Sequence, residues 1–358
     1  MEEQTYLSKA SGKLCRPFQS AAGISCRAYS TRLQRVITDF GADLPFARVS
    51  EKVQEHYGIR IASGAAATIT EHHASRMTEA DMTPEMRPAQ GAMTLIAQSD
   101  GSMVPVIQTG TTDSEGPKDR RKTRKVFWKE AQLSMIRRSD EIDPVFAVTL
   151  GDAVAAGADL MRLAVAVGFD QRSRVHGLGD GATWIEDQME QQFGAQGTYL
   201  VDFYHVCDYL AAAQVCAAND SGWMEQQKDR LKTDQLSLVM ATLAPFQEPE
   251  TVPSEQAPVR ACYRYFTNRP GQFDYQAAIN ASLPIGSGEV ESAHRYVIQK
   301  RLKLPGAWWK PGNAQNMLNL RVTRAKERVR NNFPFSSIQP GQNRVVPCWQ
   351  EGIGNDAQ

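Results

Sequence analysis

Three acidic residues lie far apart in the chain, each at a position where a strand or a turn is expected to end. They are Asp100 in Ile-Ala-Gln-Ser-Asp-Gly, Asp180 in Gly-Leu-Gly-Asp-Gly-Ala, and Glu291 in Gly-Ser-Gly-Glu-Val-Glu-Ser-Ala-His. Because like charges at close range raise each other's pKa, a fold that gathers these carboxylates needs a cation between them. Magnesium is the usual cation of oxygen-only sites, and paired magnesium ions drive in-line phosphoryl transfer. The three acids therefore predict a metal-dependent site for phosphoryl transfer.

Each acid also has a structural interpretation. Asp-Gly and Gly-Asp-Gly are typical of turns, so Asp100 and Asp180 could simply end strands. A carboxylate near a helix N-terminus is favoured by the helix dipole without any metal, which applies to Glu291. Glu289 competes with Glu291 for the third position, and residues two apart do not share a helix face. We expect Glu291 to be the acid that enters the site.

A fourth acid, Asp202, stands in Val-Asp-Phe-Tyr-His, 22 positions after Asp180. Asp202 and His205 can lie on the same side of the helical turn that begins there. A structural role, in which Asp202 caps the helix and His205 packs beneath it, is favoured over metal ligation. An intermediate role is also open, in which Asp202 and His205 orient the neighbouring site.

Basic residues are concentrated in two segments although the net charge of the 358-residue chain is zero, with 40 Lys and Arg against 40 Asp and Glu. Residues 118–129 contain seven basic residues and one acidic residue, and residues 295–330 contain ten and one. Such blocks can bind phosphate on a neutral protein. In the second block, cations could grip a DNA backbone while an indole stacks on an unpaired base. The predicted DNA-binding residues are Arg295, Lys300, Arg301, Lys303, Trp308 and Trp309.

The elements that must position these residues alternate along the chain in the order strand, strand, strand, helix, strand, helix, strand, helix. This order is typical of an α/β protein with a mixed sheet covered by helices, and sites in such sheets form at the carboxyl ends of strands. We therefore expect Asp100, Asp180 and Asp202 to occupy strand ends. The predicted strands are 92–97 continuing as 104–108, 126–136, 145–150, 174–179 and 198–201, and the predicted helices are 152–168 and 183–193.

The patterns divide the chain into five regions. They are an irregular lead-in (1–30), a helical region whose spacing also fits a helix-turn-helix (31–90), a catalytic core (91–205 and 286–330), a mainly helical insertion (206–285) and a loosely ordered tail (331–358). The insertion is marked by a Pro- and Glu-containing linker, and the turn Gly286-Ser287-Gly288 starts the long basic helix after it.

Composition narrows the class of protein. A hydrophobic content of 42% is that of an ordinary globular protein with an ample core. The six cysteines are scattered without a C-x-x-C pair, which indicates reduced thiols rather than a zinc site or a disulfide framework. The most apolar region, 144–169, is interrupted by charged residues, so a soluble, cytoplasmic protein without a membrane segment is expected.

Taken in order, the motifs resemble those of DDE-type transposases of bacterial insertion sequences and are most similar to the ISKra-type group. The matching stretches are Asp100-Gly101, Gly179 to Ile185, Asp202 to His205, Gly286 to Glu291, Gln299 to Lys303 and Trp308-Trp309. The resemblance covers residues from about 30 to 330. Relatives of this group, including the Mutator-like and hAT transposases, carry a C/D-x-x-H motif after the second catalytic acid.

The resemblance implies a ribonuclease H-like core, interrupted by a helical insertion before its last acid. Asp100, Asp180 and Glu291 then correspond to the three catalytic, metal-binding acids, and Asp202 with His205 to the C/D-x-x-H element. Two Mg²⁺ ions, or Mn²⁺, are the implied cofactors. The implied partners are the DNA ends of the element, target DNA and further copies of the chain, in the nucleoid of a bacterial cytoplasm.

The activity implied by the resemblance is hydrolysis at the element's ends followed by attack of the freed 3′-hydroxyls on target DNA. No covalent protein–DNA intermediate is needed, so no nucleophilic Ser or Tyr is expected. Related transposases usually have a longer N-terminal region with DNA-binding elements. An inactive or domesticated transposase that acts as a DNA-binding protein is therefore the alternative, and a nuclease of the same fold is a further one.

Overall fold

The computed structural model describes residues 5–7, 9, 12, 14–21, 24–25, 29–77, 86–88, 93–109, 124–217 and 222–327. The chain divides into two compact units. One comprises Met1–Arg76 with Arg330–Gln358, and the other comprises Met77–Val329. The predicted tail, 331–358, lies outside the described residues.

The three longest helices of the first unit pack around a small apolar core. Ser30 caps the first of them by accepting a hydrogen bond from the backbone N–H of Leu33, and Gly58, with a φ of 67°, ends the second. The core residues are Ile37, Val49, Val53, Ile61, Ala66 and Ile69. The elements are β1 (Tyr6–Leu7), β2 (Leu14–Cys15), α1 (Pro17–Ala21), β3 (Ile24–Ser25), β4 (Tyr29–Ser30), α2 (Thr31–Asp43), α3 (Phe46–Tyr57) and α4 (Ser63–Ser75). In this unit β1 pairs with β2 and β3 pairs with β4, both antiparallel.

The second unit is built on a five-stranded mixed sheet in the order β7-β6-β5-β8-β9. The strands β5, β6 and β7 are antiparallel neighbours, whereas β5, β8 and β9 are parallel. The predicted mixed sheet flanked by helices is confirmed, and this topology is compatible with a ribonuclease H-like fold. The strands are β5 (Thr94–Thr109), β6 (Arg124–Arg138), β7 (Val145–Thr149), β8 (Arg174–Gly179) and β9 (Gly197–Val201).

Helices cover both faces of this sheet. Residues Leu95 and Ala97 of β5 face an apolar core shared with α5 and α6 (Ala153–Ala166 and Thr183–Phe193), while Gln98 and Asp100 alternate to the opposite face. The remaining helices are α7 (Phe203–Ala217), α8 (Trp223–Lys232), α9 (Leu236–Leu243), α10 (Pro258–Thr267), α11 (Tyr275–Asn280), α12 (Gly288–His294), α13 (Lys300–Leu302) and α14 (Pro311–Glu327). Short 3₁₀ turns occupy Gly194–Gln196, Ala244–Phe246 and Ser254–Gln256, and a π-helical turn, Arg295–Gln299, joins α12 to α13.

Asp100 does not lie at a strand end, so that part of the prediction is wrong. It lies in the middle of β5, where it is paired with Leu133 of β6. The antiparallel pairing with β6 continues along β5 as far as Thr109, and this pairing keeps the backbone extended through Asp100-Gly101. The parallel partner β8, however, pairs with β5 only from Thr94 to Gln98. Asp100 therefore lies just beyond the end of the parallel ladder, although its own strand continues.

Among the residues that the structure describes, no helix combines the length and the apolar character needed to cross a bilayer.

The close packing of α2 on α4 depends on Gly41. A Cβ at Gly41 would overlap Thr70 Oγ1 and Cγ2, and Thr70 is buried with its hydroxyl donating to Ala66 O at 2.9 Å. We expect Gly41→Ala to destabilise this unit by about 1–3 kcal/mol, as overpacked cores do. Gly64→Ala is the matched control, because a Cβ at Gly64 meets no atom within 4 Å.

Hydrogen exchange of the α2–α4 amides measures both effects. Protection should fall in Gly41→Ala and remain or rise in Gly64→Ala, since alanine favours the helix by about 0.5–1 kcal/mol over glycine. Equal protection in the two variants would contradict the packing described here.

Candidate active site

The register of the parallel strands places three carboxylate-bearing residues level with one another. Gln98 of β5 pairs with Leu178 of β8, so Asp100 and Asp180 each follow the last pair by two residues. Gly179 pairs with Val201 of β9, so Asp180 and Asp202 each follow that pair by one residue. Side chains at the same level of neighbouring strands lie on the same face of a sheet. Asp100, Asp180 and Asp202 consequently form one row on the face opposite α5 and α6.

Glu291 reaches this row on the helix α12, which lies against β5. The backbone N–H of Val290 donates to Gln98 Oε1 at 3.0 Å. At the other end of α12, His294 Nε2 lies 3.2 Å from the carbonyl oxygen of Asp100 and 3.3 Å from Asp100 Oδ2. A carbonyl only accepts, so Nε2 carries a proton and donates it to Asp100 O. These two contacts fix α12 beside Asp100, with Glu291 between them on the same short helix.

The electrostatics of Asp100 show that the three acids share one environment. Burial, followed by the negative charge of Asp180, raises the pKa of Asp100 to about 6, against the opposing hydrogen bond from Gly101 N–H. The negative charges of Glu291 and Glu130 contribute smaller parts of this rise in the pKa of Asp100. Burial also lowers the pKa of His294 to about 4, so this imidazole is neutral and does not offset the negative charge. Among the described residues, no Lys or Arg forms an ion pair with Asp100, Asp180 or Glu291, so the like charges of this acidic cluster oppose one another.

The donor chemistry of the site fits a hard divalent cation. Asp100, Asp180 and Glu291 supply carboxylate oxygens, the ligands that Mg²⁺ prefers, and Mg²⁺ usually completes its coordination with water and substrate phosphate rather than with a full protein cage. In the described part of the chain, no three Asp, Glu, His or Cys side chains lie close enough to hold one metal ion by themselves. Asp100, Asp180 and Glu291 form an open arrangement at one edge of the sheet, which we call the acidic edge, rather than a closed metal cage.

Glu289, the competitor of Glu291, is occupied elsewhere. Its two carboxylate oxygens accept hydrogen bonds from Arg137 Nε and Nη2 of β6, both at 2.8 Å. Arg137 also donates through Nη1 to Arg138 O at 3.1 Å and to Glu141 O at 2.9 Å. This bidentate pair ties the start of α12 to the end of β6 and turns Glu289 away from Asp100.

Asp202 is buried and caps the helix that follows it. Its Oδ1 accepts from the backbone N–H groups of Tyr204 and His205 at 2.6 and 2.9 Å, and its Oδ2 accepts from Ser287 N–H and, at 2.5 Å, from Ser287 Oγ. These bonds link β9 to the Gly-Ser-Gly turn before α12. Asp202 therefore positions the helix that carries Glu291, and its oxygens are already used by hydrogen bonds. His205 is partly buried against the rings of Tyr209 and Tyr265.

Two residues of the helical insertion hold the turn that contains Asp180. Tyr265 Oη donates to Asp180 O at 2.6 Å, and Arg269 Nε donates to Gly181 O at 2.9 Å. The guanidinium of Arg269 also lies 3.9 Å from the centre of the Tyr265 ring. Gly181 has a φ of 85°, which L-residues rarely adopt, so the turn needs glycine at this position.

Sequence reasoning missed Arg137 and the supporting residues His294, Tyr265 and Arg269. The spacing Glu291-x-x-His294 places both side chains on neighbouring positions of one helix, and this was a usable signal. Tyr265 and Arg269 gave no such signal, because they contact residues 85 and 88 positions earlier in the chain.

The predicted DNA-binding residues fall into two groups. Arg295, Lys300, Lys303 and Trp308 are exposed. Arg301 and Trp309 are 2% and 4% exposed and contact each other, with the guanidinium 4.8 Å from the indole ring. The backbone of Trp309 extends the sheet by accepting a hydrogen bond from Ile107 N–H at 2.8 Å. A direct DNA contact by the side chains of Arg301 and Trp309 is therefore corrected to a structural role.

No protein-family model matches the chain, and the search of curated proteins finds no match. Among solved structures, the chain is similar to the Drosophila P element transposase strand transfer complex. The TM-score is 0.30 at 9% sequence identity, over 88% of this chain and 84% of that chain.

Because the pKa of Asp100 is raised, the free energy of unfolding of this unit depends on pH. The native carboxyl binds its proton more tightly than the unfolded one, so stability is lost as the pH rises from about 4 through about 6. We expect Asp100→Asn, which keeps the acceptor for Gly101 N–H, to raise the free energy of unfolding by about 1–3 kcal/mol at about pH 8 in EDTA. Near pH 4 the difference should vanish.

Urea unfolding followed by tryptophan fluorescence reports this unit, because five of the six tryptophans lie within 77–329. Asp170→Asn is the control of opposite sign: the hydrogen bond from Arg172 N–H lowers the pKa of Asp170. Its substitution should destabilise at about pH 8, and this effect should be lost as the pH falls through the lowered native pKa of Asp170. A pH-independent difference for Asp100→Asn would contradict the acidic cluster.

Proposed function

We propose that this chain is a DDE-type transposase of the ISKra-type group, which cleaves DNA at the ends of its element and transfers the freed strands into target DNA. The observation that carries the proposal is the juxtaposition of Asp100, Asp180 and Glu291 at one edge of a sheet whose topology is compatible with a ribonuclease H-like fold. The acids come from two parallel strands and one helix, which are separate in sequence. Such convergence without a neutralising Lys or Arg among the contacts described favours a cation-dependent site over a set of turns.

The three acids would hold the metal. Asp100, Asp180 and Glu291 would hold a pair of Mg²⁺ or Mn²⁺ ions, which would supply activation of an attacking oxygen and stabilisation of the leaving oxygen of a phosphodiester. The remaining residues position these ligands. Catalysis of phosphoryl transfer depends mainly on positioning and charge, so rigid support of the acids is the protein's own contribution.

That support comes from three independent contacts. The Arg137–Glu289 pair holds the start of α12, Asp202 holds Ser287 before it, and Tyr265 with Arg269 holds the Asp180–Gly181 turn. Each contact joins a ligand-bearing element to a different part of the fold. Well-supported ligands keep the geometry that substrate binding requires.

DNA is the proposed substrate because exposed cations and an exposed indole lie on the chain immediately after Glu291. Arg295, Lys300 and Lys303 would contact phosphates and Trp308 would contact a base. Transposition needs two element ends held together, so a homo-oligomer on DNA is part of the proposal. Binding without cleavage would instead support the alternative of an inactive or domesticated transposase.

The test uses purified chain with the genomic DNA that flanks its coding sequence, in Mg²⁺ or Mn²⁺. We expect nicked ends and joined products from the unaltered chain, and Asp180→Asn should abolish both while DNA binding in EDTA stays nearly unchanged. Cleavage without joined products would indicate a nuclease, and loss of DNA binding in Asp180→Asn would count against a metal-ligand role.

Glu291→Gln and Glu289→Gln separate the two neighbouring acids. We expect Glu291→Gln to lower cleavage more than about 100-fold, the upper end of the losses seen for residues that only support metal ligands, with unchanged stability because Glu291 is exposed. Glu289→Gln should lower cleavage only about 10-fold and destabilise by about 1–2 kcal/mol through its lost bond to Arg137.

Single-turnover cleavage and urea unfolding measure these two effects. The reverse assignment, in which Glu289→Gln abolishes cleavage and leaves stability unchanged, would show that the third acid had been misidentified.

A further inference from the structure

The strands β5 and β6 extend well beyond the rest of the sheet. β8 pairs with β5 only up to Gln98, and β7 pairs with β6 only along Gln132–Ile136. Beyond these limits Ser102–Thr109 of β5 and Arg124–Ala131 of β6 continue as a two-stranded antiparallel ladder. We call this two-stranded extension the ribbon.

The ribbon has one covered face and one exposed face. Side chains alternate along a strand, and directly paired residues point to the same side. On the face that continues from Asp100, Val104 and Val106 are fully buried. The second face bears the odd-numbered residues of β5 and the even-numbered residues of β6, because Pro105 pairs with Trp128. We call this second face the outer face.

The centre of the outer face is apolar. Trp128, Val126 and Met103 are 60%, 47% and 46% exposed, and Pro105 lies partly buried beside Trp128. Exposed apolar groups that include a large aromatic side chain are typical of a protein–protein contact surface.

Opposite charges flank this apolar centre on β6. Arg124 and Glu130 are exposed and lie on the outer face, about 20 Å apart at about 3.3 Å per residue. The Glu130 side chain lies over Gly101, an outer-face position of β5, since a Cβ added at Gly101 would overlap Glu130 Oε1. Within the described ranges, neither Arg124 nor Glu130 forms an ion pair.

We propose that the outer face binds the outer face of a second copy of this chain, with Arg124 of each copy against Glu130 of the other. Trp128 and its apolar neighbours form the centre of this contact. The proposal rests on the proposed function only for the expectation of a homo-oligomer, and it assigns the surface through which two copies meet.

The order of the charges selects the orientation of the two copies. Phe127 is the midpoint of β6 between Arg124 and Glu130. A twofold axis across the strands at this level reverses β6, so that Arg124 lies opposite Glu130 and Val126 lies opposite the second copy's Trp128. An axis along the strands would place like charges opposite each other. Only the reversed arrangement joins opposite charges at both ends of the apolar centre.

A nucleic acid is the main alternative occupant of the outer face. Among the described side chains of this face there is one cation, Arg124, and one anion, Glu130, so their charges cancel and do not attract a phosphate backbone. Lys125 and Lys129 pair with Gln108 and Val104 and so belong to the other face. The outer face is therefore complementary to a copy of itself rather than to DNA.

Sedimentation of the purified chain in EDTA and without DNA tests the proposal. The concentrations run from about 1 to about 200 µM, because small interfaces dissociate readily. We expect a reversible monomer–dimer equilibrium, and Trp128→Ala should raise its dissociation constant more than about 30-fold. Phe246→Ala, at another exposed aromatic residue outside the ribbon, should leave it unchanged. A chain that stays monomeric, or a dimer insensitive to Trp128→Ala, overturns the proposal.

Charge reversals test the orientation. Arg124→Glu and Glu130→Arg should each raise the dissociation constant of the dimer about 10-fold or more, because like charges then meet at both ends of the contact. An equimolar mixture of the two variants should form a heterodimer of nearly the original affinity, since opposite charges face each other again. The double variant Arg124→Glu with Glu130→Arg should recover in the same way.

Both charged side chains are exposed, so the urea unfolding of each variant should match that of the unaltered chain. Folded single variants that fail to recover in the mixture and in the double variant would overturn the reversed arrangement.

The two proposals fail separately, because the sedimentation test uses neither metal nor DNA. Metal-dependent cleavage by a chain without a dimer through the outer face would leave the transposase proposal intact and remove this one. A dimer that responds to these variants as expected, without cleavage in any metal, would do the reverse.

Discussion

The pairing of β5 with β8, and of β8 with β9, is the constraint on which the site depends. Parallel hydrogen bonding fixes which residues stand side by side, and here it sets Gln98 beside Leu178 and Gly179 beside Val201. A shift of one residue would turn a whole strand to the other face. Asp100, Asp180 and Asp202 are level only in the observed register, and the apolar face packed on α5 and α6 stabilises that register.

Bringing carboxylates close together costs free energy, and the contacts that support these residues must offset that cost. Burial and the charges of Asp180 and Glu291 raise the pKa of Asp100, and the neutral His294 offers a hydrogen bond rather than a positive charge. Arg137 neutralises Glu289, not Glu291. Among the described residues, Arg137 pairs with Glu289 at the start of α12, and no Lys or Arg forms an ion pair with Asp100, Asp180 or Glu291.

Local sequence signals predicted the elements well and the long-range contacts poorly. The strand 174–179 and the helix 183–193 lie at their predicted bounds, since turn glycines at 181 and 194 limit them. The local pair Asp100-Gly101 predicts a strand end, whereas β5 continues through it because of its long-range antiparallel pairing with β6. Charge and aromaticity are visible in sequence and assign Arg301 and Trp309 to DNA. Their burial is not visible, because Trp309 is bridged to Val106 about 200 positions earlier and Arg301 packs on Trp309.

The measurement that tests the central claim most directly is the anomalous scattering of Mn²⁺ in crystals of this chain. The account predicts manganese density between the carboxylates of Asp100, Asp180 and Glu291, with Glu289 still bound to Arg137. Manganese bound at other residues, with these three carboxylates free of it, would contradict the assignment of the acidic edge as a metal-dependent active site.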